Sequence, residues 1–284
     1  MIERTCKIIC RDSAVGFAKE KSKGFKKMKD LDKLRNDLDM CDEIIVDALR
    51  MRYQIIQEIT NYKQENGIEV VQPEEEERKK KFVLEKLGDY KYKKSVLKVY
   101  ESILYRSKRI QSHELFDFNI FLIGFMGVGK STVSKALQRT FAMDVVEMDE
   151  IIAKRNGMSI SEIFELHGEE YFRNEETELL RESRAKKNMI VSCGGGVPMR
   201  QVNVDEMKKS GKVVLLTASP ETILEHVKHS HDRPLLENNK NVEYIAELMD
   251  KRKNAYEAAA DIVISTDGKS VYDICEEIIT KVNE

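Results

Sequence analysis

Five cysteines are scattered through the 284 residues with no CxxC spacing, so neither a zinc site nor a disulfide framework is indicated. Cys6 and Cys10 read as a surface or packing pair rather than as ligands. No apolar run reaches the length of a membrane span and no signal-peptide pattern opens the chain. The cytoplasm is therefore the expected compartment, with no role at a membrane. A dominant charge is also missing, the formal net charge being -2. Roughly the first 115 residues are mildly basic and the rest acidic, yet no basic stripe interleaved with aromatics appears. Nucleic acid is not an expected partner. No internal repeat is visible, and the length suits two domains, each able to bury a core.

Residues Gly124-Phe-Met-Gly-Val-Gly-Lys130-Ser131 spell a complete P-loop. Asn119–Ile123 before it reads as a short buried strand. Ser131 to Phe141 after it has helical apolar spacing at Val133, Ala136, Leu137 and Phe141. Strand, glycine-rich turn and helix N-terminus are the context that makes such a pattern a phosphate site. Glycines let the backbone approach the phosphates, and free N–H groups at the helix start point at them. Lys130 is expected to bridge the outer phosphates and Ser131 to hold Mg²⁺. The nucleotide-binding set is Gly124, Met126, Gly127, Val128, Gly129, Lys130, Ser131 and Thr132.

The grammar of the chain changes near Ser112–Phe118. Before it the pattern is helical. After it, short β-branched runs at Ile120–Ile123, Val145–Met148, Met189–Ser192, Lys212–Thr217 and Asp261–Ser265 alternate with amphipathic helices. That alternation predicts an α/β domain with a parallel sheet covered on both faces. The connection lacks Gly and Pro, so the halves are expected to lie close. Residues 1–27 mix Lys, Gly and Ser with few large apolar residues and are expected to be disordered. Met28 is a candidate natural start. The expected organisation is multidomain: a disordered 1–27, an all-α domain over 28–113, and an α/β P-loop kinase domain over 117–284.

Several motifs behind the P-loop resemble the shikimate kinase family. Glu147-Met-Asp149 follows the second strand, where that family has Asp-x-Asp. Gly168-Glu-Glu-Tyr-Phe-Arg173-Asn-Glu-Glu176 matches its Gly-Glu…Phe-Arg…Glu segment, and Gly194-Gly-Gly196 follows the third strand. Arg233-Pro-Leu-Leu236 resembles its lid, and Arg252-Lys-Asn-Ala-Tyr256 its Arg-x-x-x-Tyr. The resemblance implies phosphorylation of shikimate by ATP with Mg²⁺. Arg173 and Arg252 would clamp the substrate carboxylate with planar forks. Asp149 would accept from ring hydroxyls and draw the proton from the attacking one. Gly194, Gly195 and Gly196 would lay backbone amides against the substrate. Arg233 would close over the nucleotide and stabilise the transferred phosphoryl group. Glu147 departs from the family's Asp and is expected to reach Mg²⁺ through a water. Another P-loop metabolite kinase, such as a gluconate kinase, is the alternative.

From Leu31 to about Lys63 there is no Gly or Pro, and apolar residues recur at helical spacing. Such a helix, about 50 Å long, must pack along another to be stable. Helical stretches around Glu74–Leu87 and Tyr92–Gln111 follow. Arg52 and Lys63 lie about three turns apart, on one face and ~16 Å along the axis. Arg35 lies ~25 Å from Arg52 and is rotated by about 100°, so it cannot serve the same pocket from one straight helix. A site using all three needs a second copy, which predicts an intertwined homodimer. This half resembles the all-helical (type II) chorismate mutases, at Arg35, Asp42, Arg52, Lys63, Glu76, Ser107 and Gln111.

That resemblance implies rearrangement of chorismate to prephenate without a cofactor. Arg35 and Arg52 would hold the two carboxylates, Lys63 and Gln111 would donate to the ether oxygen, and Glu76 would accept from the ring hydroxyl. The family's Asp-Pro-x-Arg-Glu stands here as Gln72-Pro73-Glu74-Glu75-Glu76. Glu75 in place of an arginine should weaken binding of a dianion, with Arg78 one turn on as a compensating charge. The main expectation is a bifunctional enzyme of aromatic amino-acid biosynthesis. The alternatives are a kinase whose mutase-like half senses chorismate or prephenate, or only dimerises the chain.

Overall fold

The computed structural model describes residues 30–66, 73–228 and 241–284. The expectations on residues 1–27, Met28, Cys6, Cys10, Gln72 and Arg233 lie outside them. The chain divides into two compact units, Met1–Met51 and Arg52–Glu284. Helix α1, Leu31–Glu65, begins in the first and continues into the second. Of its residues only Ile56 and Thr60 are buried, while Leu31, Leu34, Leu38, Ile45 and Ile55 are exposed.

Within the second unit, helix α2, Pro73–Leu87, opens on a proline followed by Glu74, Glu75 and Glu76. Proline lacks only an N–H the first turn leaves unused, and the carboxylates suit the positive end of the helix dipole. Helix α3, Lys93–Leu115, packs on α2. It then runs straight into the α/β part. The Arg109 guanidinium donates to both Asp144 oxygens, at 2.7 and 2.6 Å. Buried Ser112 donates to Asn188 at 2.9 Å, and fully buried Phe116 stands edge-on to Phe141 at 6.0 Å.

The sheet comprises β1 (Asn119–Ile123), β2 (Asp144–Glu147), β3 (Met189–Ser192), β4 (Gly211–Thr217) and β5 (Ile262–Ser265). All pairs are parallel, in the order β2-β3-β1-β4-β5. Central β1 is buried along its whole length, as a strand covered on both faces must be. One face carries α4 (Lys130–Phe141), α8 (Pro220–Val227) and α10 (Val271–Asn283), whose apolar sides join a core around Ile120, Leu122 and Leu137. The other carries α5 (Met148–Asn156), α6 (Ile160–Ser183), α7 (Gln201–Ser210) and part of α9 (Val242–Ala259), around Phe121, Ile152 and Leu180. Because order reverses beside β1, the loops after β1 and β3 diverge at their carboxyl ends and leave a crevice there.

Candidate functional site

A cavity of about 1090 Å³ occupies that crevice. The loop after β1 supplies Met126 to Thr132. β2 and the start of α5 supply Glu147 and Asp149, α6 supplies Arg173, the loop after β3 supplies Gly194 to Gly196, and α9 supplies Arg252. These expected residues line the one cavity; Gly124 is not in the lining. Gly129 caps α4 at φ 100°, a left-handed conformation that glycine adopts without strain. Lys130 Nζ donates to the carbonyls of Gly124 and Phe125 at 2.8 and 3.2 Å, which curls the loop around it. Glu147 accepts from Ser131 at 2.9 Å and from Ser134 at 2.5 Å. The longer acid thus reaches the Ser131 hydroxyl directly. Among the described residues no group of three His, Cys, Asp or Glu gathers. Ser131 and Glu147 offer two hard oxygens, a set that suits a divalent ion whose remaining ligands are phosphates and water.

On the other side of the cavity, Gly168 breaks α6 with φ 82° and ψ 170° and sets the direction of the segment carrying Arg173. The Arg173 guanidinium donates to Glu176 at 2.9 Å and to Glu169 at 2.9 Å, and lies over the Phe172 ring at 5.4 Å. A Cβ on Gly196 would fall 2.2 Å from Arg173 Nη1, so glycine is the residue that lets this guanidinium approach the loop. Glu176 was quoted within its motif but not expected as a site residue. It is fully buried, and its Oε1 has no hydrogen-bond partner among the described residues. Burial raises its pKa to about 7, against the opposing pull of Arg173. Tyr256 donates to the Gly195 carbonyl at 2.7 Å, and burial raises the pKa of its phenol. Arg252 lies over the Phe125 ring at 5.9 Å. Buried Cys193 beside this loop has its thiol pKa raised by desolvation, which makes it a packing group rather than a nucleophile.

A second, smaller cavity of about 210 Å³ lies between α1, α2 and α3. It gathers Arg52, Lys63, Glu76, Ser107 and Gln111. Arg35 and Asp42 belong to the other compact unit, where Arg35 donates to Asp32 at 3.2 Å. Arg52 Nε and Nη2 are buried without a hydrogen-bond partner among the described residues, and the guanidinium stands 6.0 Å from the Tyr100 ring centroid. Ser107 donates back to the Ile103 carbonyl at 2.8 Å. Glu75 does line the cavity, but Arg78 grips both of its oxygens at 2.7 and 2.5 Å and holds its pKa below the ordinary value. The expected repulsion toward an anion is thereby damped at its source. Lys79, Lys108, Thr140 and Phe141 also line this cavity and were not foreseen. The last two close helix α4, which begins at Lys130.

Residues 126–283, more than half of the chain, match the family model for shikimate kinase. The chain belongs to the shikimate kinase family. Residues 34–112 match chorismate mutase type II, so a chorismate mutase domain precedes the shikimate kinase domain. The shikimate kinase of Geobacter sulfurreducens is 46% identical over 166 residues, covering 58% of this chain and 91% of that one. That of Persephonella marina is 43% identical over 164 residues, covering 58% and 98%. Among solved structures, shikimate kinase from Acinetobacter baumannii in complex with shikimate superposes with TM-score 0.55 at 30% identity, covering 58% of this chain and 92% of that one. The Aquifex aeolicus shikimate kinase gives TM-score 0.50 at 37% identity, covering 57% and 94%. Among the described residues no helix is long and apolar enough to cross a membrane.

Glu176 had a signal in the sequence: it stands three residues after Arg173, on the same helix face. That it is buried and half unpaired depends on α6 lying under the glycine loop, which no local pattern shows. For Lys108 and Thr140 the sequence carried no signal. Thr140 enters the smaller cavity because α3 is fixed against α4, and Lys108 because it stands beside Ser107 and meets Glu76 on α2.

Proposed function

We propose that this bifunctional enzyme of aromatic amino-acid biosynthesis phosphorylates shikimate at its large cavity and rearranges chorismate to prephenate at the smaller one. For the kinase, the observation that carries the most weight is the convergence of the P-loop, Asp149, Arg173, Gly194–Gly196 and Arg252 on one cavity. Arg173 and Arg252 bind the substrate carboxylate, and Asp149 takes the proton of the attacking hydroxyl. The hydroxyl oxygen forms a bond to the γ-phosphorus while the bridge to ADP breaks. Lys130 and the N-terminus of α4 stabilise the charge that spreads over the phosphoryl oxygens. Glu176 accepts from a ring hydroxyl through its unpartnered oxygen. Arg233, outside the described residues, is assigned to the nucleotide side. Ser131, and Glu147 through a water, would hold Mg²⁺, which would supply neutralisation of the phosphate charge. Lys130→Ala should abolish shikimate phosphorylation while leaving chorismate turnover in place; loss of both in a folded protein would refute two separate sites.

For the mutase, the telling observation is the half-buried Arg52 guanidinium, whose buried Nε and Nη2 have no hydrogen-bond partner among the described residues. Buried donors without an acceptor are costly, and an anionic ligand removes that cost. Four cations and two carboxylates line the cavity, a formal excess of two positive charges facing a dianion. Arg52 binds a carboxylate, Lys63 and Gln111 donate to the ether oxygen, Glu76 accepts from the ring hydroxyl, and Ser107 completes the wall. The step is pericyclic, so folding the substrate and stabilising the breaking ether suffice. Arg35 reaches this site from a second copy. The exposed apolar residues Leu31, Leu34, Leu38, Ile45 and Ile55 support a homodimer through α1. One observation favours sensing as a second reading: Thr140 and Phe141, at the end of the P-loop helix, line the same cavity.

A further inference from the structure

Chorismate carries two carboxylates, and within the second unit Arg52 accounts for one. Where the mutase family has an arginine, this chain has Glu75. Two unforeseen lysines line the cavity, and they differ in what already occupies them. Lys79 Nζ is 3.8 Å from Glu75, a carboxylate that Arg78 also holds. Lys108 stands on α3 between the expected site residues Ser107 and Gln111, with its side chain 23% exposed. Its ammonium lies 2.7 Å from Glu76 Oε1 and 3.5 Å from the Arg139 carbonyl in the last turn of α4. An ammonium has three donors, and these acceptors use two.

We propose that Lys108 is a substrate-binding residue of the mutase cavity that takes over carboxylate recognition from the missing arginine and sets a preference for dianions over monoanions. Its role rests on the chorismate reading of this cavity. The contact with Glu76 fits that role, since Glu76 is assigned to the ring hydroxyl. The pair spans two groups of one ligand, and the carboxylate keeps the ammonium charged and aimed. Counting the lining charges gives the selectivity. Within one copy, Lys108 brings the formal excess of lining charge to two positive charges, matching a dianion; without it the excess is one, and the second carboxylate is left to Arg35 of a second copy. A lysine acts here as a point charge rather than a planar fork, so reach matters more than angular fit.

The test is calorimetric titration of the full-length protein with prephenate, a dicarboxylate, and with benzoate, a monocarboxylate, across Lys108→Met, Lys108→Arg and Arg52→Ala. Loss of one charge-assisted contact should weaken prephenate binding about ten- to a hundredfold in Lys108→Met, with benzoate changed only a few-fold. Lys108→Arg should recover most of the loss, and the salt dependence of prephenate binding should be shallower in the methionine variant. Should Lys108→Met melt early, Lys108→Gln keeps most of the length and a hydrogen-bond donor, and the same selective loss is expected. A purely structural lysine would weaken both ligands alike or neither. Prephenate bound by Lys108→Met as by the unaltered protein, but lost in Arg52→Ala, would overturn the assignment of Lys108 and leave the cavity's function standing. Prephenate binding that ignores Arg52 would overturn the chorismate reading itself.

Discussion

Replacing Glu176 by glutamine isolates a charge that the kinase site has buried. The carboxylate is fully inaccessible, held on one oxygen by Arg173 at 2.9 Å and unpartnered on the other. Burial lifts its pKa to about 7, so in the free enzyme it ionises across the physiological range. Only the ionised form accepts a substrate hydroxyl as a charge-assisted bond, worth about 1.5–3 kcal/mol. Glutamine keeps the shape and an acceptor but loses the charge and the ion pair with Arg173. The expected cost is about tenfold or more in kcat/KM for shikimate, about 1.4 kcal/mol per decade. The pH profile is the sharper readout. With a pKa of about 7, kcat/KM for shikimate at saturating ATP should rise about tenfold from pH 6 to pH 8, and Glu176→Gln should remove that rise. Stability should move the opposite way. A carboxyl pKa raised on folding contributes stability below its unfolded value near 4.5, and that contribution is lost as pH rises through about 7. Unfolding midpoints should therefore favour the glutamine variant at pH 8 and not at pH 4. An unchanged pH rise in Glu176→Gln, or a flat profile in the unaltered enzyme, would refute the reasoning.

Two further outcomes follow from the smaller cavity. Arg52→Met exchanges two buried nitrogens, Nε and Nη2, that have no hydrogen-bond partner among the described residues for a thioether of similar length. It should abolish prephenate binding yet raise unfolding free energy by at least about 1 kcal/mol, each unpaired buried donor costing about 1–3 and the Tyr100 contact returning about 0.5–1. Chemical denaturation checks this, and a loss of stability would contradict the picture of a strained cation awaiting its anion. Helix α4 touches the phosphate loop at Lys130 and the second cavity at Thr140 and Phe141. ATP affinity measured with and without saturating prephenate should differ, reciprocally with prephenate affinity measured with and without ATP. Equal affinities in both directions would show that the helix transmits nothing.

Much of the sheet and of the kinase site was legible, because both rest on local grammar. The P-loop sits between a strand and a helix that each declare their period, and all five β-branched runs are strands within a residue or two at either end. Met148, read as the end of the second strand, instead opens α5. What stayed hidden was tertiary. For Glu75 the sequence already offered Arg78, one turn on, as a compensating charge, and the structure adds that Arg78 grips both of its oxygens. Glu147 was expected to reach Mg²⁺ through a water; that it also accepts from the Ser131 and Ser134 hydroxyls depends on how β2 lies beside α4. Lys108 and Thr140 carry no motif, and contacts such as Arg109–Asp144, Ser112–Asn188 and Phe116–Phe141, which fix α3 to the kinase domain, bring them to one cavity.

That one chain holds two working sites is tested most directly by following chorismate disappearance with the purified full-length protein, with Arg52→Ala as control. Turnover to prephenate that vanishes in Arg52→Ala, while shikimate phosphorylation persists, is the predicted result. A protein that phosphorylates shikimate but leaves chorismate untouched would contradict the bifunctional account.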